Sequence, residues 1–153
     1  MSIKVVGTNK KAYFNYYILD TLEAGMLLTG PEVKSLRLGK LSFTDSFANI
    51  KNGEVWLYNL HIAPYDYDTV GQKNYNPCRK RKLLLHKCEI KRLQSKVAEK
   101  GITLVPLKVY FNERGYAKVE LGLAKGKEIV DKRETIAKRE AERRILKTLK
   151  YKL

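Results

Sequence analysis

Lysine and arginine are grouped at four places in this sequence, beside residues of the types that contact nucleic acids. Basic side chains bind phosphates, tyrosine and guanidinium planes stack on unpaired bases, and small polar groups bind base edges. The four clusters are Asn9-Lys10-Lys11, Lys34 with Arg37, Arg79-Lys80-Arg81-Lys82, and Lys118 with Lys125 and Lys127. Any one cluster is typical of a solvated surface, but 31 Lys and Arg against 16 Asp and Glu give a formal charge of +15. This imbalance favours a polyanionic partner, with nucleic acid first and an anionic membrane surface second.

Glu32 is an acidic residue inside the second cluster, and two interpretations of it stay open. A carboxylate repels phosphate, so it either caps a helix or accepts hydrogen bonds from base amines. Pro31 beside it suits the first turn of a helix, where an acidic side chain meets the positive end of the helix dipole. The sequence alone does not decide between the two roles.

A catalytic or metal site finds little support in the sequence. The two histidines, His61 and His86, lie far apart, and no serine has the Gly-x-Ser-x-Gly context of a hydrolase. We see neither a phosphate-binding glycine loop nor acidic residues at metal-loop spacing. Cys78 and Cys88 form no CxxC pair, which is typical of reduced thiols in an intracellular protein. We therefore expect no enzyme activity and no cofactor, because a nuclease or RNA-modifying enzyme would need such a constellation.

Strand-like stretches dominate the first 124 residues. Residues 13–22 are rich in aromatic and β-branched side chains and predict a strand, with a second strand at 26–29 after Glu23-Ala24-Gly25. Asn52-Gly53 accepts the positive φ angles of a type I′ turn and predicts a hairpin. A second hairpin is predicted where two further strand-like runs flank residues 112–116.

Two helices are predicted beside these strands. The first begins near Pro31 and ends at Gly39, with Val33, Leu36 and Leu38 towards the core and Glu32, Lys34, Ser35 and Arg37 largely outside. The second covers residues 86–100, with Ile90, Leu93 and Val97 as its buried stripe and Gly101 as its stop. The predicted fold is therefore mainly β with flanking helices, a small closed oligonucleotide-binding-type barrel of about six strands. We divide the chain into a barrel domain, 1–124, and a basic C-terminal tail, 125–153.

The tail has a helical pattern whose apolar stripe is thin. It holds eleven Lys or Arg against five Asp or Glu, a formal +6, and its first two stripe positions, 137 and 141, are alanine. Asp131 and Glu134 have the spacing of a capping box. Isolated helices of this length are marginal in water. We expect a tail that is largely unstructured alone and becomes helical on a polyanion; packing against its own barrel and lying on a membrane are the alternatives.

Four stretches together resemble the SsrA-binding protein family, also called small protein B. They are EAGMLLTGPEVKSLRLGK, DSFANIKNGEVWL, RKRKLLLHKCEIKRL and LGLAKGKEIVDKRETIAKRE, and the resemblance runs from about Asn9 to Arg144. It implies an oligonucleotide-binding-type barrel that binds transfer-messenger RNA (tmRNA) and delivers it to stalled bacterial ribosomes, the rescue reaction called trans-translation. It also implies partnership with an elongation factor carrying the charged RNA, and no catalysis. A general single-stranded RNA- or DNA-binding barrel is the alternative, and exposed aromatic platforms would mark it.

The resemblance also assigns residues. Asn9, Glu32, Lys34, Ser35 and Arg37 match positions that grip the tRNA-like part of the RNA, and 79–82 and 124–127 match further basic motifs. With the clusters above, the expected RNA-binding residues are Asn9, Lys10, Glu32, Lys34, Ser35, Arg37, Arg79, Arg81, Lys82, Lys118, Lys125 and Lys127. The tail is implied to enter the decoding region and the mRNA channel of the small ribosomal subunit. Its expected contacts are Asp131, Lys132, Arg133, Lys138, Arg139, Arg143, Arg144, Ile145 and Leu146.

This sequence departs from the family pattern at two positions. Pro31 stands where relatives usually carry threonine, so a hydroxyl and a backbone donor are lost. Val130 precedes the Asp-Lys-Arg motif where relatives often carry a side chain able to stack on a base. No apolar run approaches the roughly 20 residues of a membrane span, and the N-terminus lacks the features of a signal peptide. We expect a cytoplasmic monomer without a membrane partner.

Overall fold

The computed structural model describes residues 3–65, 75–127 and 136–145, and within them strands predominate, with helices between some of them. The strands are β1 (Lys4–Thr8), β2 (Tyr16–Met26), β3 (Leu41–Ser42), β4 (Phe47–Lys51), β5 (Glu54–Tyr58), β6 (His61–Ile62), β7 (Arg81–Leu84), β8 (Ile102–Phe111) and β9 (Ala117–Gly126). The helices are α1 (Lys10–Asn15), α2 (Gly30–Arg37), α3 (Lys87–Val97) and α4 (136–145).

Six of these strands close into a ring. Their hydrogen-bonded order is β8-β4-β5-β7-β2-β9, and β9 pairs back along the length of β8. All of these pairings are antiparallel, and β1 joins β8 from Lys4↔Phe111 to Thr8↔Lys108. Closure removes edges that these six strands would otherwise expose, while β1 remains an added strand beside β8. The prediction of a mainly β, closed fold of about six strands with flanking helices is confirmed.

The core fills the inside of this ring. β5 shows how, because its buried residues alternate with half-buried ones, as one face of a strand requires. Deeply buried aliphatic residues of this core include Val55, Leu57, Leu83, Leu104, Val109, Val119 and Leu121. Leu93 of α3 packs against the same cluster, with Ile90 and Val97 half-buried beside it. The predicted apolar stripe of this helix is confirmed, and Gly101 follows it with a φ of +83°.

Both predicted hairpins are confirmed. Asn52 and Gly53 have φ angles of 54° and 73°, and Lys51 pairs with Glu54 across the two-residue turn. Positive φ at both positions is the type I′ geometry that Asn-Gly favours. The second hairpin joins β8 to β9, where Phe111 pairs with Ala117.

The prediction for residues 13–29 is wrong in two respects. Residues 13–15 belong to α1, which begins because the Asn9 side chain accepts a hydrogen bond from the Ala12 backbone N–H at 3.3 Å. Ala12 is buried against Val105 and Leu107 of β8, and this tertiary burial outweighs the β propensity of the aromatic residues. β2 then runs through Glu23-Ala24-Gly25 without a turn, because β9 pairs with all three. β1 and β7 were not predicted at all.

The predicted α2 is confirmed, but its orientation differs from the expectation. Leu36 is fully buried, whereas Leu38 is 58% exposed and does not reach the core. Glu32 and Ser35, expected outside, are 1% and 0% exposed. Gly39, with a φ of +75°, follows the helix as predicted. Glu32 can be buried because Arg79 and Arg81 bind its carboxylate.

Candidate nucleic-acid interface

Glu32 caps its own helix. The Thr29 side chain accepts a hydrogen bond from the Glu32 backbone N–H, and Glu32 Oε1 accepts one from the Thr29 backbone N–H at 3.0 Å. This reciprocal pair is a capping box, which satisfies two backbone donors that a helix start leaves unpaired. The capping interpretation of Glu32 is confirmed.

The same carboxylate also binds two arginines from the third basic cluster. Arg81 Nε donates to Glu32 Oε2 at 2.7 Å, and Arg79 Nε donates to the same oxygen at 3.1 Å. Arg79 Nη2 forms an ion pair with Glu32 Oε1. Arg81 is fully buried, and its other donors bind the backbone carbonyls of Leu60 and Pro77. One carboxylate thus ties α2 to the segment that leads into β7.

Tyr75 completes this network. Its hydroxyl accepts a hydrogen bond from Arg81 Nη2 at 3.0 Å and lies 2.9 Å from the Ile62 carbonyl oxygen. Burial and the nearby Glu32 charge raise the pKa of Tyr75 to about 12. The phenol therefore stays protonated, and Tyr75 is half-buried in the network rather than free on the surface.

Glu32 remains ionised despite its burial. Burial by itself raises the pKa of a carboxyl group, but hydrogen bonds from Arg79 and the Thr29 backbone, with the Arg81 charge, outweigh it. Together they lower the pKa of Glu32 to about 2. Two guanidinium groups share one carboxylate, so the network carries an excess positive charge. Arg79, whose side chain is 34% exposed, presents that charge to solvent.

The outer side of α2 carries the two expected cations of the second cluster. Lys34 and Arg37 are both exposed. Lys34 Nζ lies 5.5 Å from the centroid of the Tyr65 ring, and Arg37 Cζ lies 5.7 Å from that of Phe111. Ser35 instead points inward, where its hydroxyl donates to the Ala63 carbonyl oxygen at 2.6 Å.

A second group of expected residues meets around α1. Asn9 Nδ2 donates to the Pro106 carbonyl oxygen at 2.9 Å, which holds the start of α1 against β8. Asn9 and the exposed Lys10 line a cavity of about 370 Å³ at this point. Lys127 Nζ lies 3.4 Å from the Tyr13 carbonyl oxygen and 5.1 Å from the centroid of the Tyr17 ring. Lys125, next to the last residue of β9, is exposed and pairs with Tyr17 of β2.

The remaining expected cations of the barrel have acidic neighbours. Lys82 Nζ lies 3.3 Å from Glu54 Oε1, and Lys118 Nζ lies 3.9 Å from Glu23 Oε1. These pairs are partly exposed, so each contributes no more than about 1 kcal/mol and yields readily to a phosphate.

The tail residues fall into two groups. Asp131, Lys132, Arg133 and Leu146 lie outside the described residues, whereas Lys138, Arg139, Arg143, Arg144 and Ile145 lie in α4. All ten residues of α4 are exposed, with Ile145 at 60%. These ten residues therefore pack no apolar face on the barrel. The expectation that the tail is largely unstructured alone and becomes helical on a polyanion stays a prediction.

The described residues contain neither a metal-binding cluster nor a membrane-spanning helix. In residues 3–65, 75–127 and 136–145, no group of three His, Cys, Asp or Glu could hold a metal ion. Over the same ranges, no helix is long and apolar enough to cross a membrane.

A closed six-stranded ring surrounded by basic clusters defines an oligonucleotide-binding-type barrel protein. The family model described as SmpB protein matches residues 6–151, and the chain therefore belongs to the SmpB family. This confirms the resemblance stated on the sequence motifs.

Individual relatives match over nearly their whole length. The SsrA-binding protein of Carboxydothermus hydrogenoformans is 58% identical over 147 residues, covering 96% of this chain and 97% of the relative. The SsrA-binding protein of Pelotomaculum thermopropionicum is 54% identical over 153 residues, covering 100% and 98%. A chain of the solved structure described as "tmRNA-SmpB: a journey to the center of the bacterial ribosome" is 59% identical, with a TM-score of 0.69 and coverage of 82% of this chain and 86% of that chain.

Proposed function

We propose that this protein is an RNA-binding adaptor that binds the tRNA-like domain of tmRNA and delivers it to stalled bacterial ribosomes. The SsrA-binding protein of Carboxydothermus hydrogenoformans, 58% identical across 97% of its length, is the observation that carries this proposal. The structural match to a chain of the tmRNA-SmpB structure also supports the proposal. The partners are tmRNA, the ribosome and the elongation factor that carries the charged tmRNA, and the site of action is the bacterial cytoplasm.

The two parts of the chain have different roles in this proposal. Residues 1–124 form the barrel that binds tmRNA, and residues 125–153 form the tail that enters the decoding region and the mRNA channel. The exposed α4, with Lys138, Arg139 and Arg143 on it, supports a tail that meets its partner outside the barrel. The apolar Ile145 is the candidate for positioning this helix there.

The barrel residues divide by exposure into contacts and positioning residues. Lys34 and Arg37 on α2, with Lys10, Lys125 and Lys127 around α1, are exposed or half-buried cations that can reach phosphates. Glu32, Ser35 and Arg81 are buried and act through other groups. Glu32 and Arg81 fix α2 relative to β7, and Ser35 fixes α2 to Ala63. Their role is to hold the cations of α2 and Arg79 in one arrangement.

The adaptor works without chemistry of its own. Its residues position RNA by phosphate contacts and by the shape of the barrel, while the bound RNA and the ribosome carry out peptide transfer. Adding divalent metal to the protein and RNA should therefore produce no RNA cleavage.

Competition binding at physiological salt tests the proposal. Labelled tRNA-like domain of tmRNA is bound to the protein, and an unlabelled, unstructured RNA of equal length competes for it. We expect the tRNA-like domain to bind at least about a hundredfold more tightly, about 2.7 kcal/mol. Equal competition would mean that the net charge alone drives binding, and the adaptor function would fail.

One observation favours a second candidate, a general single-strand binding barrel. Phe47 is 40% exposed and stacks on Tyr58, with ring centroids 5.1 Å apart and an interplanar angle of 17°. Exposed aromatic rings on a sheet provide platforms for unpaired bases of any sequence. The same competition decides between the candidates, because a general binder gives equal affinities.

A further inference from the structure

Trp56 lies on the outer face of the barrel wall. Its neighbours Val55 and Leu57 are fully buried, so the alternation along β5 directs Trp56 away from the core. Across the sheet it pairs with Asn49 of β4 on one side and with Lys82 of β7 on the other. The indole is half-buried, and part of it therefore faces solvent.

A groove of about 360 Å³ opens beside this ring. It is lined by Leu27, Leu28, Thr29, Trp56, Arg79 and Lys82. Leu27 is 55% exposed, although it is a large apolar side chain. An aromatic face with aliphatic walls and charged groups at the rim suits a flat ring system with polar edges, which is the chemistry of a nucleobase.

The rim of the groove is cationic. Arg79 is held by Glu32, and its Nη2 also lies 3.5 Å from the Leu27 carbonyl oxygen, so its guanidinium is fixed at one end of the groove. Lys80 Nζ lies 5.0 Å from the centroid of the Trp56 ring, and Lys82 lies on the adjacent strand.

The acids near the groove do not neutralise it. Four basic residues, 79–82, meet two carboxylates there, Glu32 and Glu54. Glu32 is buried and shared between two arginines, and Glu54 forms only a partly exposed pair with Lys82. The groove therefore has the positive charge that an RNA backbone complements.

We propose that this groove takes an unpaired nucleobase of the tRNA-like domain of tmRNA. The base stacks on the Trp56 indole between the aliphatic walls, and Lys80 and Lys82 bind the phosphates on either side. Lys80 covers the ring in the absence of the base and moves to a phosphate when the base enters. This inference rests on the proposed function, since it assigns the RNA that the barrel binds.

Continuity with α2 supports tmRNA as the occupant. Thr29, the N-cap of α2, lines the groove, and Arg79 links the groove to Glu32 of the same helix. An RNA that contacts the exposed Lys34 and Arg37 can therefore follow the same helix to its N-terminus at the groove.

The fluorescence of the protein offers a direct test, because Trp56 is the single tryptophan of the chain. The full chain is titrated with the tRNA-like domain of tmRNA while tryptophan emission and binding are followed together. We expect saturable quenching with the same Kd as the binding curve, since a base stacked on the indole quenches it. Full binding with unchanged emission would overturn the inference.

Substitutions give a second readout. Trp56→Leu keeps apolar volume but loses the stacking face, and we expect it to weaken binding of the tRNA-like domain about tenfold, as loss of one base–aromatic stack does. Trp56→Phe keeps a stacking ring and should bind within about threefold of the parent chain. Tyr116→Leu removes another exposed aromatic residue, 64% exposed and not among the residues that line the groove, and should leave affinity unchanged. Equal affinity for Trp56→Leu and the parent chain, with thermal unfolding confirming the fold, would overturn the inference.

An unstructured oligonucleotide of equal charge separates the possible outcomes. We expect it to quench Trp56 only at about a hundredfold higher concentration than the tRNA-like domain. Equal quenching by both would overturn the assignment of the groove to tmRNA. If the parent chain prefers the tRNA-like domain but Trp56 emission does not change, this inference alone is overturned. If the parent chain binds both RNAs equally, the proposed function is overturned as well.

Discussion

Arg81 Nε donates a 2.7 Å hydrogen bond to Glu32 Oε2, and 49 residues separate the two in the chain. Neither side chain is more than 1% exposed. The pair joins the start of α2 to the start of β7, and Arg79 extends the same network to the surface. A buried charge pair of this kind adds little stability beyond an apolar pair, but it fixes which groups face each other, and removing one partner is costly.

Glu32→Ala is therefore expected to destabilise the fold strongly. Removing the carboxylate leaves Arg81 charged and buried and deletes one half of the capping box, at a cost of about 3–5 kcal/mol. Urea unfolding measures the loss in the free energy of unfolding. Glu54→Ala is the matched control, because its pair with Lys82 is partly exposed and should cost no more than about 1 kcal/mol. Similar losses for the two variants would contradict the role given to Glu32.

The same carboxylate predicts an acid-dependent loss of stability. The pKa of Glu32 falls from its ordinary value of 4.5 to about 2 in the folded protein, so folding favours the ionised form. This stabilisation is complete above about pH 4.5 and is lost as the pH falls towards 2, an effect of about 3 kcal/mol. Urea unfolding at a series of pH values should show a steeper decline for the parent chain than for Glu32→Gln. Parallel curves would show that Glu32 does not titrate in this way.

Glu32 and Arg81 also show which features can be predicted from the sequence and which cannot. The capping box is a local pattern, so Thr29 and Glu32 could be read from their three-residue spacing. The Asn52-Gly53 turn is equally local, and both hairpins were predicted correctly. The burial of Glu32 was not, because it depends on arginines 47 and 49 residues away that only the closed ring brings together.

The misassigned elements have the same cause. Residues 13–15 have strand-like side chains, and only the packing of Ala12 on Val105 and Leu107 makes them helical. β7 was missed because it begins in a basic cluster, and its buried Arg81 is a charged residue where a strand pattern requires an apolar one. Trp56 was overlooked since it lies outside the four basic clusters, although its being the single tryptophan of a basic chain was a usable signal.

Lys34 is expected to contribute one phosphate contact. It is exposed on α2, and Lys34→Gln should reduce the slope of log K against log salt for the tRNA-like domain by about one. Binding measured across a salt series gives the slope. Lys100→Gln removes an equally exposed charge outside the expected RNA-binding residues and should change the slope less. The same slope for Lys34→Gln and the parent chain would remove Lys34 from the phosphate contacts.

Ending the chain after Lys127 should separate RNA binding from rescue. This end point keeps the hydrogen bond from the Lys127 backbone N–H to the Asn15 carbonyl oxygen, 2.9 Å, and so preserves the junction with α1. Because every residue of α4 is exposed, we expect the barrel to keep its stability and its affinity for the tRNA-like domain. Tagging of a stalled peptide in a reconstituted translation system should be abolished, since the part proposed to enter the decoding region is gone.

A second variant distinguishes the sequence of the tail from its charge. In it, residues 128–153 are shuffled at constant composition, so the tail keeps its charge but loses the helical spacing of its apolar positions. We expect tmRNA binding at parental affinity and little tagging, because ordering along the ribosome needs that spacing as well as phosphate contacts. If the shuffled chain tags as well as the parent chain, the tail acts through its charge and not through its sequence. A large fall in affinity for the tRNA-like domain after truncation would contradict the division into barrel and tail itself.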